Sequence, residues 1–461
     1  MGIKLHNTLG NRDELFTPLV QGQVKMYSCG PTVHNYLHIG NLRAYIFVDI
    51  LKRVLEYNEY KVTHIMNITD VGHLTDDADQ GEDKMVKALN REGLPKTLES
   101  LRKVSQKYTE AFQKDFEKIN IIPPDKYTFA SDHIKVQIKL IEKIDKKGLI
   151  YKTSDGIYFN TSKFSEYGRL GTSASTDHSR IGLNSEKKNS KDFALWKFSG
   201  ENGIGFESPW GLGFPGWHIE CSAMSMKYLG EQFDIHTGGI DHISVHHNNE
   251  IAQSEATTGK IPAKYWIHNN HLSIHDTKMA KSGENFITLT TLLELGISPQ
   301  AYRYWLLTAK YNTRMDYSYE AVKAAETSFE NNLIEILKFS EEDKQGEINE
   351  EYKKRFTEAL NDDLNTPQAV SIAIELAKNP LIPIADKRAT LLDFDRVLGL
   401  GLSNFKKVIE EIPVEIYNLV KEREVARKSK DFKKSDILRD QVKKAGFEIE
   451  DASTGPIIRK I

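Results

Sequence analysis

Apolar and polar positions alternate with two different periods along the first 120 residues. Val24-Lys25-Met26-Tyr27 reads as a short strand running into a turn at Cys29-Gly30-Pro31-Thr32. After Gly40, the residues Ala44, Phe47, Val48, Leu51, Val54 and Leu55 recur every three or four positions, the stripe of an amphipathic helix. Lys61-Val62-Thr63-His64-Ile65-Met66 is rich in β-branched residues and reads as a second strand. Strand, turn, helix, strand is a βαβ unit, which predicts a Rossmann-type parallel sheet with its ligand site at the carboxyl ends of the strands. A further helix is predicted over 96–119, with Leu101, Val104, Tyr108, Phe112 and Phe116 on one stripe.

The pattern then changes. Residues 148–160 look like a hairpin turning at Ser154-Asp155-Gly156, and 173–191 form a Ser/Lys/Asn-rich polar stretch. Residues from about 125 to 205 therefore read as an α+β insertion between two halves of one nucleotide-binding fold. The sheet resumes with Phe233-Asp234-Ile235-His236 and Tyr265-Trp266-Ile267-His268. From about Leu292 onward the chain is helical almost to its end. Residues 421–444 hold ten Lys/Arg against five Asp/Glu; such a run is a solvated helix face or a basic contact surface.

Composition narrows the class. With 461 residues, 39% hydrophobic and 28% charged, the chain has material for about three domains, and wholesale disorder is excluded. A net charge of -3 excludes an overall basic protein but leaves a local nucleic-acid patch open. No stretch has the 18 apolar residues of a spanning helix, and the start, MGIKLHNTLG, lacks a signal-peptide core. His6 stands where a myristoylation site wants Ser or Thr. Two cysteines make no disulfide framework, so a reducing, cytoplasmic setting is expected.

Those two cysteines carry candidate chemistry. Cys29 ends the first strand, Cys221 lies in Gly216-Trp-His-Ile-Glu-Cys-Ser-Ala-Met224, and His246-His247-Asn248-Asn249-Glu250 follows. If 246–255 is helical, His246 and Glu250 share a face. Two thiolates, an imidazole and a carboxylate suit tetrahedral zinc, although without a CxxC the spacing also fits two ordinary core cysteines. A second pair of motifs suits phosphate. His38-Ile39-Gly40-Asn41 falls where a loop meets a helix N-terminus, which offers N–H groups and a positive dipole end. Lys278-Met279-Ala280-Lys281-Ser282 offers two ammonium groups in a polar loop.

In this order, the last two motifs resemble the two signatures of class I aminoacyl-tRNA synthetases. Cys29-Gly-Pro-Thr-Val33, Asn67-Ile-Thr-Asp70, Pro215-Gly-Trp-His-Ile-Glu-Cys-Ser-Ala-Met224 and Phe233-Asp-Ile-His236 resemble the cysteinyl-tRNA synthetase family within that class. So do the tail segments Asp431-Phe-Lys-Lys-Ser-Asp-Ile-Leu-Arg439 and Glu448-Ile-Glu-Asp451. The likeness runs over nearly the whole chain.

The resemblance implies one zinc per chain on Cys29, Cys221, His246 and Glu250, with Thr69 and Trp217 around bound cysteine. It implies ATP, with magnesium, near His38, Asn41, Gly239, Asp241 and Lys281, with Lys278 beside them as the other catalytic lysine. The fold implied is an α/β Rossmann-type catalytic domain in two halves, 1–125 and 206–290, split by a connective insertion, 126–205. An all-α region follows: a helical stem at 291–400 and an anticodon-binding domain at 401–461. The partners implied are cysteine tRNA, L-cysteine and ATP, the chain being a monomer without membrane attachment.

Three positions depart from the family pattern. Asn41 stands where a second His is common, Ala280 where Ser is, and Asn248 where Glu often is. Two other readings share these motifs: a cysteine-activating ligase of mycothiol synthesis, and a catalytically silent tRNA-binding paralogue. The long helical segment after 340, with its basic run, favours tRNA over the first. Retention of His38, both lysines and all four candidate ligands argues against the second.

Overall fold

The computed structural model describes residues 2–72, 84–171, 186–199, 203–274, 277–278, 286–338, 346–405, 413–429, 431–452 and 455–460. It divides into two compact units, Met1–Phe405 and Lys406–Ile461.

The first unit begins with an antiparallel hairpin, β1 (Lys4–Asn7) and β2 (Arg12–Leu15). Next come β3 (Gln23–Ser28), α1 (Ile39–Tyr57) and β4 (Lys61–Ile68), the βαβ unit expected from the periodicity. Beyond them lie α2 (Lys84–Glu92), α3 (Leu98–Lys118) and β5 (Lys126–Phe129). The insertion carries α4 (Ile134–Asp145) and four antiparallel strands: β6 (Ile150–Lys152), β7 (Gly156–Phe159), β8 (Phe193–Phe198) and β9 (Gly213–Pro215). Most of the polar stretch at 173–191 lies outside the described residues. Then follow α5 (Trp217–Leu229), β10 (Phe233–Gly239), α6 (Asn248–Thr258) and β11 (Ala263–Asn269).

The main sheet is fully parallel, in the order β11-β10-β3-β4-β5. Both β3 and β4 start with alternating burial and finish with a continuous buried run, the signature of a parallel sheet covered on both faces. The last residues of β3, β4 and β10 thus converge at one edge, under cover.

Helix α1 is buried nearly all round, more than its apolar stripe implies. Its inward polar groups are satisfied: the Arg43 guanidinium donates to the carbonyls of His271 and Thr313, and Asp49 accepts from Arg53 Nε at 2.8 Å. The rest of the unit explains why. It holds β12 (Leu272–Ile274), β13 (Thr277–Lys278), α7 (Leu289–Glu294), α8 (Pro299–Leu307), β14 (Met315–Tyr317), α9 (Tyr319–Phe329) and α10 (Glu335–Lys338). Helices α11 (Glu350–Asn361), α12 (Thr366–Lys378) and α13 (Ile384–Leu398) complete it. Helix α13 packs on the far side of α1, so one apolar core runs from the sheet into the helical stem.

The second unit pairs α14 (Val414–Lys428) with α15 (Phe432–Lys444) and ends in an antiparallel hairpin, β15 (Phe447–Ala452) and β16 (Gly455–Lys460). Its own small core joins Ile416, Val420, Val442, Phe447 and Ile449. In the closing hairpin, buried Phe447 and Ile449 alternate with exposed Glu448 and face this small core. Among the described residues no helix is long and apolar enough to cross a membrane.

Candidate functional site

Three strand ends and two helices build the centre. Cys29 follows β3, Cys221 sits one turn into α5, His246 lies in the turn just before α6 (Asn248–Thr258), and Glu250 lies in the first turn of α6. Their donor atoms, one from each residue, all lie within 4.8 Å of one another. The chain reaches α6 through a π-helical turn, Ile243–His247, which widens the helix so that both His246 and His247 are buried on its inner side. Asn248 closes that turn by donating to the Ile243 carbonyl at 2.8 Å and to the Gly171 carbonyl at 3.0 Å. Its side chain is thereby committed to structure.

The donor set suits a metal ion. His246 Nε2 and Glu250 Oε1 are buried and 3.0 Å apart. Burial lowers the His246 pKa, but the Glu250 carboxylate and the Cys29 thiolate outweigh it and raise it to about 10. A cation in place of that proton would be shared by both atoms. Burial alone would push the Cys29 thiol up. The hydrogen bond from the Cys221 thiol, and then the imidazoles of His247 and His246, outweigh it and hold Cys29 well below the usual thiol range. Burial and the neighbouring Cys29 thiolate push Cys221 up instead. Tetrahedral zinc, with Zn–S near 2.3 Å and Zn–N or Zn–O near 2.0–2.2 Å, accepts such a mixed set.

A second, overlapping set of donors, Cys29, His236, His247 and Glu250, also lies within 4.8 Å. His236 Nε2 meets Glu250 Oε2 at 2.9 Å, and His247 Nε2 meets Cys29 Sγ at 3.4 Å. These two imidazoles hold the carboxylate and the thiol of the first set in orientation. The sequence reading left both out of the site; the His-His doublet and the Phe-Asp-Ile-His strand end were the signals for them. Gly238 makes room: a Cβ there would come within 2.6 Å of the His247 ring and 2.7 Å of His242.

Trp217 begins α5 and lies against His246, ring centroids 4.2 Å apart. Thr69, just past β4, donates its hydroxyl to Glu220 Oε2 at 2.7 Å. Trp217 thus touches a ligand candidate directly, whereas Thr69 reaches Glu220, the neighbour of Cys221 in the chain. Gly239 ends β10, and Asp241 follows, with its Oδ1 4.0 Å from His271 Nε2.

The phosphate motif is a capped helix start. His38 is the N-cap of α1: its Nδ1 accepts from the Asn41 N–H at 3.1 Å, and Asn41 Oδ1 accepts from the His38 N–H at 3.3 Å. With Nδ1 accepting, the neutral ring carries its proton on Nε2, a donor. Asn41 thus has a local reason of its own, since its amide oxygen closes the capping box. Residues just after the second motif return to this point. The Ile39 N–H donates to the Ile287 carbonyl at 2.8 Å, and the rings of His38 and Phe286 meet edge to face at 6.0 Å. Lys278 ends the short strand β13, while Ala280 and Lys281 lie outside the described residues.

Comparison with known proteins fits this geometry. Residues 15–327 match the tRNA synthetases class I (C) catalytic domain, and 355–379 match the DALR domain. The chain is 45% identical to cysteine–tRNA ligase 1 of Burkholderia lata, over 99% of this chain and 96% of the relative. It is 42% identical to cysteine–tRNA ligase of Treponema denticola, over 98% of each. The chain belongs to the cysteinyl-tRNA synthetase family. As such it is a class I aminoacyl-tRNA synthetase, an ATP-using ligase. Its fold is also that of Mycobacterium tuberculosis methionyl-tRNA synthetase bound by methionyl-adenylate, with a TM-score of 0.56 at 15% identity, covering 86% of this chain and 94% of that one. Within the cysteinyl-tRNA synthetase family, the small departures at Asn41 and Asn248 are both accounted for by hydrogen bonds of the chain itself.

Proposed function

We propose that this chain attaches L-cysteine to cysteine tRNA at the expense of ATP, through a cysteinyl-adenylate, with one zinc ion selecting the thiol. The observation that carries this reading is the buried cluster of Cys29, Cys221, His246 and Glu250, with Trp217 against His246, in a chain so similar to cysteine–tRNA ligases over its full length.

In the first step the substrate carboxylate attacks the α-phosphate of ATP, and magnesium pyrophosphate leaves. His38 Nε2–H and the positive dipole end of α1 stabilise charge developing on the phosphate oxygens. Lys278 and Lys281 neutralise the leaving pyrophosphate. Gly239 and Asp241 border the ribose. In the second step a hydroxyl of the terminal tRNA adenosine attacks the acyl carbon and AMP leaves. Zinc, when bound, supplies a Lewis acid that takes a thiol as thiolate and a serine hydroxyl far less readily. A packing difference between sulfur and oxygen would give only about 1–3 kcal/mol.

Residues 1–125 and 206–290 would form the catalytic domain, 126–205 the connective insertion, 291–400 the stem and 401–461 the anticodon side. The basic run of α14 and α15 would supply phosphate contacts. We read the protein as a cytoplasmic monomer.

The test is charging of total tRNA with labelled cysteine, with labelled serine as control. Cysteine-only charging is the expected outcome. Pyrophosphate exchange driven by cysteine without charging would assign the acceptor to another molecule, as in the mycothiol-type ligase. Failure of both with zinc bound would leave a silent tRNA-binding protein.

A further inference from the structure

Beside the two thiols runs a buried line of hydrogen bonds that begins one residue after Cys29 and ends one residue before Cys221. The Gly30 N–H donates to Asn67 Oδ1 at 2.8 Å, Asn67 Nδ2 donates to Thr69 Oγ1 at 3.3 Å, and Thr69 Oγ1 donates to Glu220 Oε2 at 2.7 Å. Asn67, Thr69 and Glu220 are all buried, Glu220 completely. The approach that starts the line requires glycine, since a Cβ on residue 30 would lie 1.7 Å from the Asn67 carbonyl oxygen.

The polarity of this line is fixed from its first member. A backbone N–H can only donate, so Asn67 must present its oxygen to Gly30 and its amide nitrogen to Thr69. That nitrogen also can only donate, so Thr69 Oγ1 must accept from it. The single hydroxyl proton of Thr69 is then directed to Glu220. One hydroxyl has one proton and two acceptor positions; with the proton on Glu220 and one acceptor position on Asn67, the remaining capacity of Oγ1 is to accept once more.

We infer that Glu220 is a positioning residue that fixes the Thr69 hydroxyl as an acceptor for the α-ammonium group of bound cysteine. This rests on the reading that Thr69 and the thiol-binding cluster share one cysteine pocket. An ammonium group offers three donors and no acceptor, so a threonine whose proton could swing toward it would repel it. The amino acid is then held at two ends by one continuous element: its sulfur beside Cys29 and Cys221, its nitrogen by a hydroxyl oriented from the residues next to both.

The experiment compares binding of L-cysteine and 3-mercaptopropionate, which keeps the thiol and carboxylate and lacks the ammonium, to the zinc-loaded full chain by calorimetry. Hydrogen bonds to charged groups predict that Glu220→Ala, which leaves nothing to take the Thr69 proton, weakens L-cysteine roughly 10- to 100-fold. Binding of 3-mercaptopropionate should change less than about twofold, as should ATP binding, with zinc content still one per chain. In a Thr69→Val background, Glu220→Ala should add nothing further, because its effect runs through the hydroxyl. Equal weakening of both ligands, loss of zinc, or an undiminished effect in the Thr69→Val background would overturn the assignment. If wild-type protein binds neither thiol in a zinc-dependent way, the cysteine-pocket reading itself fails, a result distinct from the others.

Discussion

Arg303 and Asp49, 254 residues apart in sequence, form an ion pair in which both side chains are fully buried. Asp49 Oδ2 takes a second guanidinium from Arg53, and Oδ1 accepts from the Ile122 N–H at 2.8 Å. Arg303 in turn donates to the carbonyls of Leu398, Ile119 and Asn120. The helix that carries His38 at its start is therefore bolted at its middle to the helical stem. Removing one partner of a buried pair strands the others, so Asp49→Ala should lower the stability of the first unit by about 3–5 kcal/mol. Urea denaturation followed by circular dichroism measures this; a change under about 1 kcal/mol would show that the network is not holding the two regions together.

Metal content gives a second expectation. Purified protein should carry one zinc per chain by mass spectrometry of the metal. Cys221→Ser and His246→Ala should each weaken zinc retention at least about tenfold, and His236→Ala by about 10- to 100-fold through loss of orientation of Glu250. Full zinc occupancy in Cys221→Ser would exclude the first donor set.

The capped helix start separates two roles of one residue. His38→Ala removes a phosphate donor and a helix cap together, and should slow cysteine-dependent pyrophosphate exchange by about 10²–10³ while zinc content stays at one. Its stability loss should be only about 0.5–2 kcal/mol, the range for losing an N-cap. Lys281→Ala should slow the same exchange without a capping effect. Loss of zinc in either variant would show that these residues support the metal cluster instead.

Acid titration offers a fourth test, at Asp70. Burial raises its carboxyl to about 6 from 3.8, despite hydrogen bonds from the Ser131 N–H at 2.9 Å and hydroxyl at 2.6 Å. Between those two values the folded chain binds more protons than the unfolded one. This residue's contribution is therefore favourable to folding below pH 3.8 relative to neutral pH, and is lost as pH rises through about 6. The span is on the order of 3 kcal/mol. Urea midpoints measured from pH 4 to 7 should change less steeply in Asp70→Asn; an unchanged slope would assign it to other groups.

Much of this arrangement was legible in the residues themselves. The β3-α1-β4 unit followed from a clean change of period, and β10 and β11 brought their own aromatic runs, whereas the short β5 was not read from the sequence. Other features depend on tertiary contact and left little local trace. The near-complete burial of α1 comes from α13 on the side away from the sheet, and α13 begins 327 residues after α1 ends. The π turn before α6, which turns both His246 and His247 inward, is invisible to a pattern that assumes 3.6 residues per turn. Glu220 lies inside a quoted motif, but its partner, Thr69, comes from the end of another strand.

The strand order has a consequence for how the protein is made. Strand β3 lies at the centre of the sheet, yet one of its two neighbours, β10, is built from residues 233–239. Cys29 leaves the ribosome 192 residues ahead of Cys221, and β10 follows later still. At synthesis rates of 5–20 residues per second, that is roughly 10 to 40 s. Throughout this interval β3 has one open edge and Cys29 is the chain's lone thiol. The nascent chain can thus be captured by oxidants or by other strands well before its own partners exist.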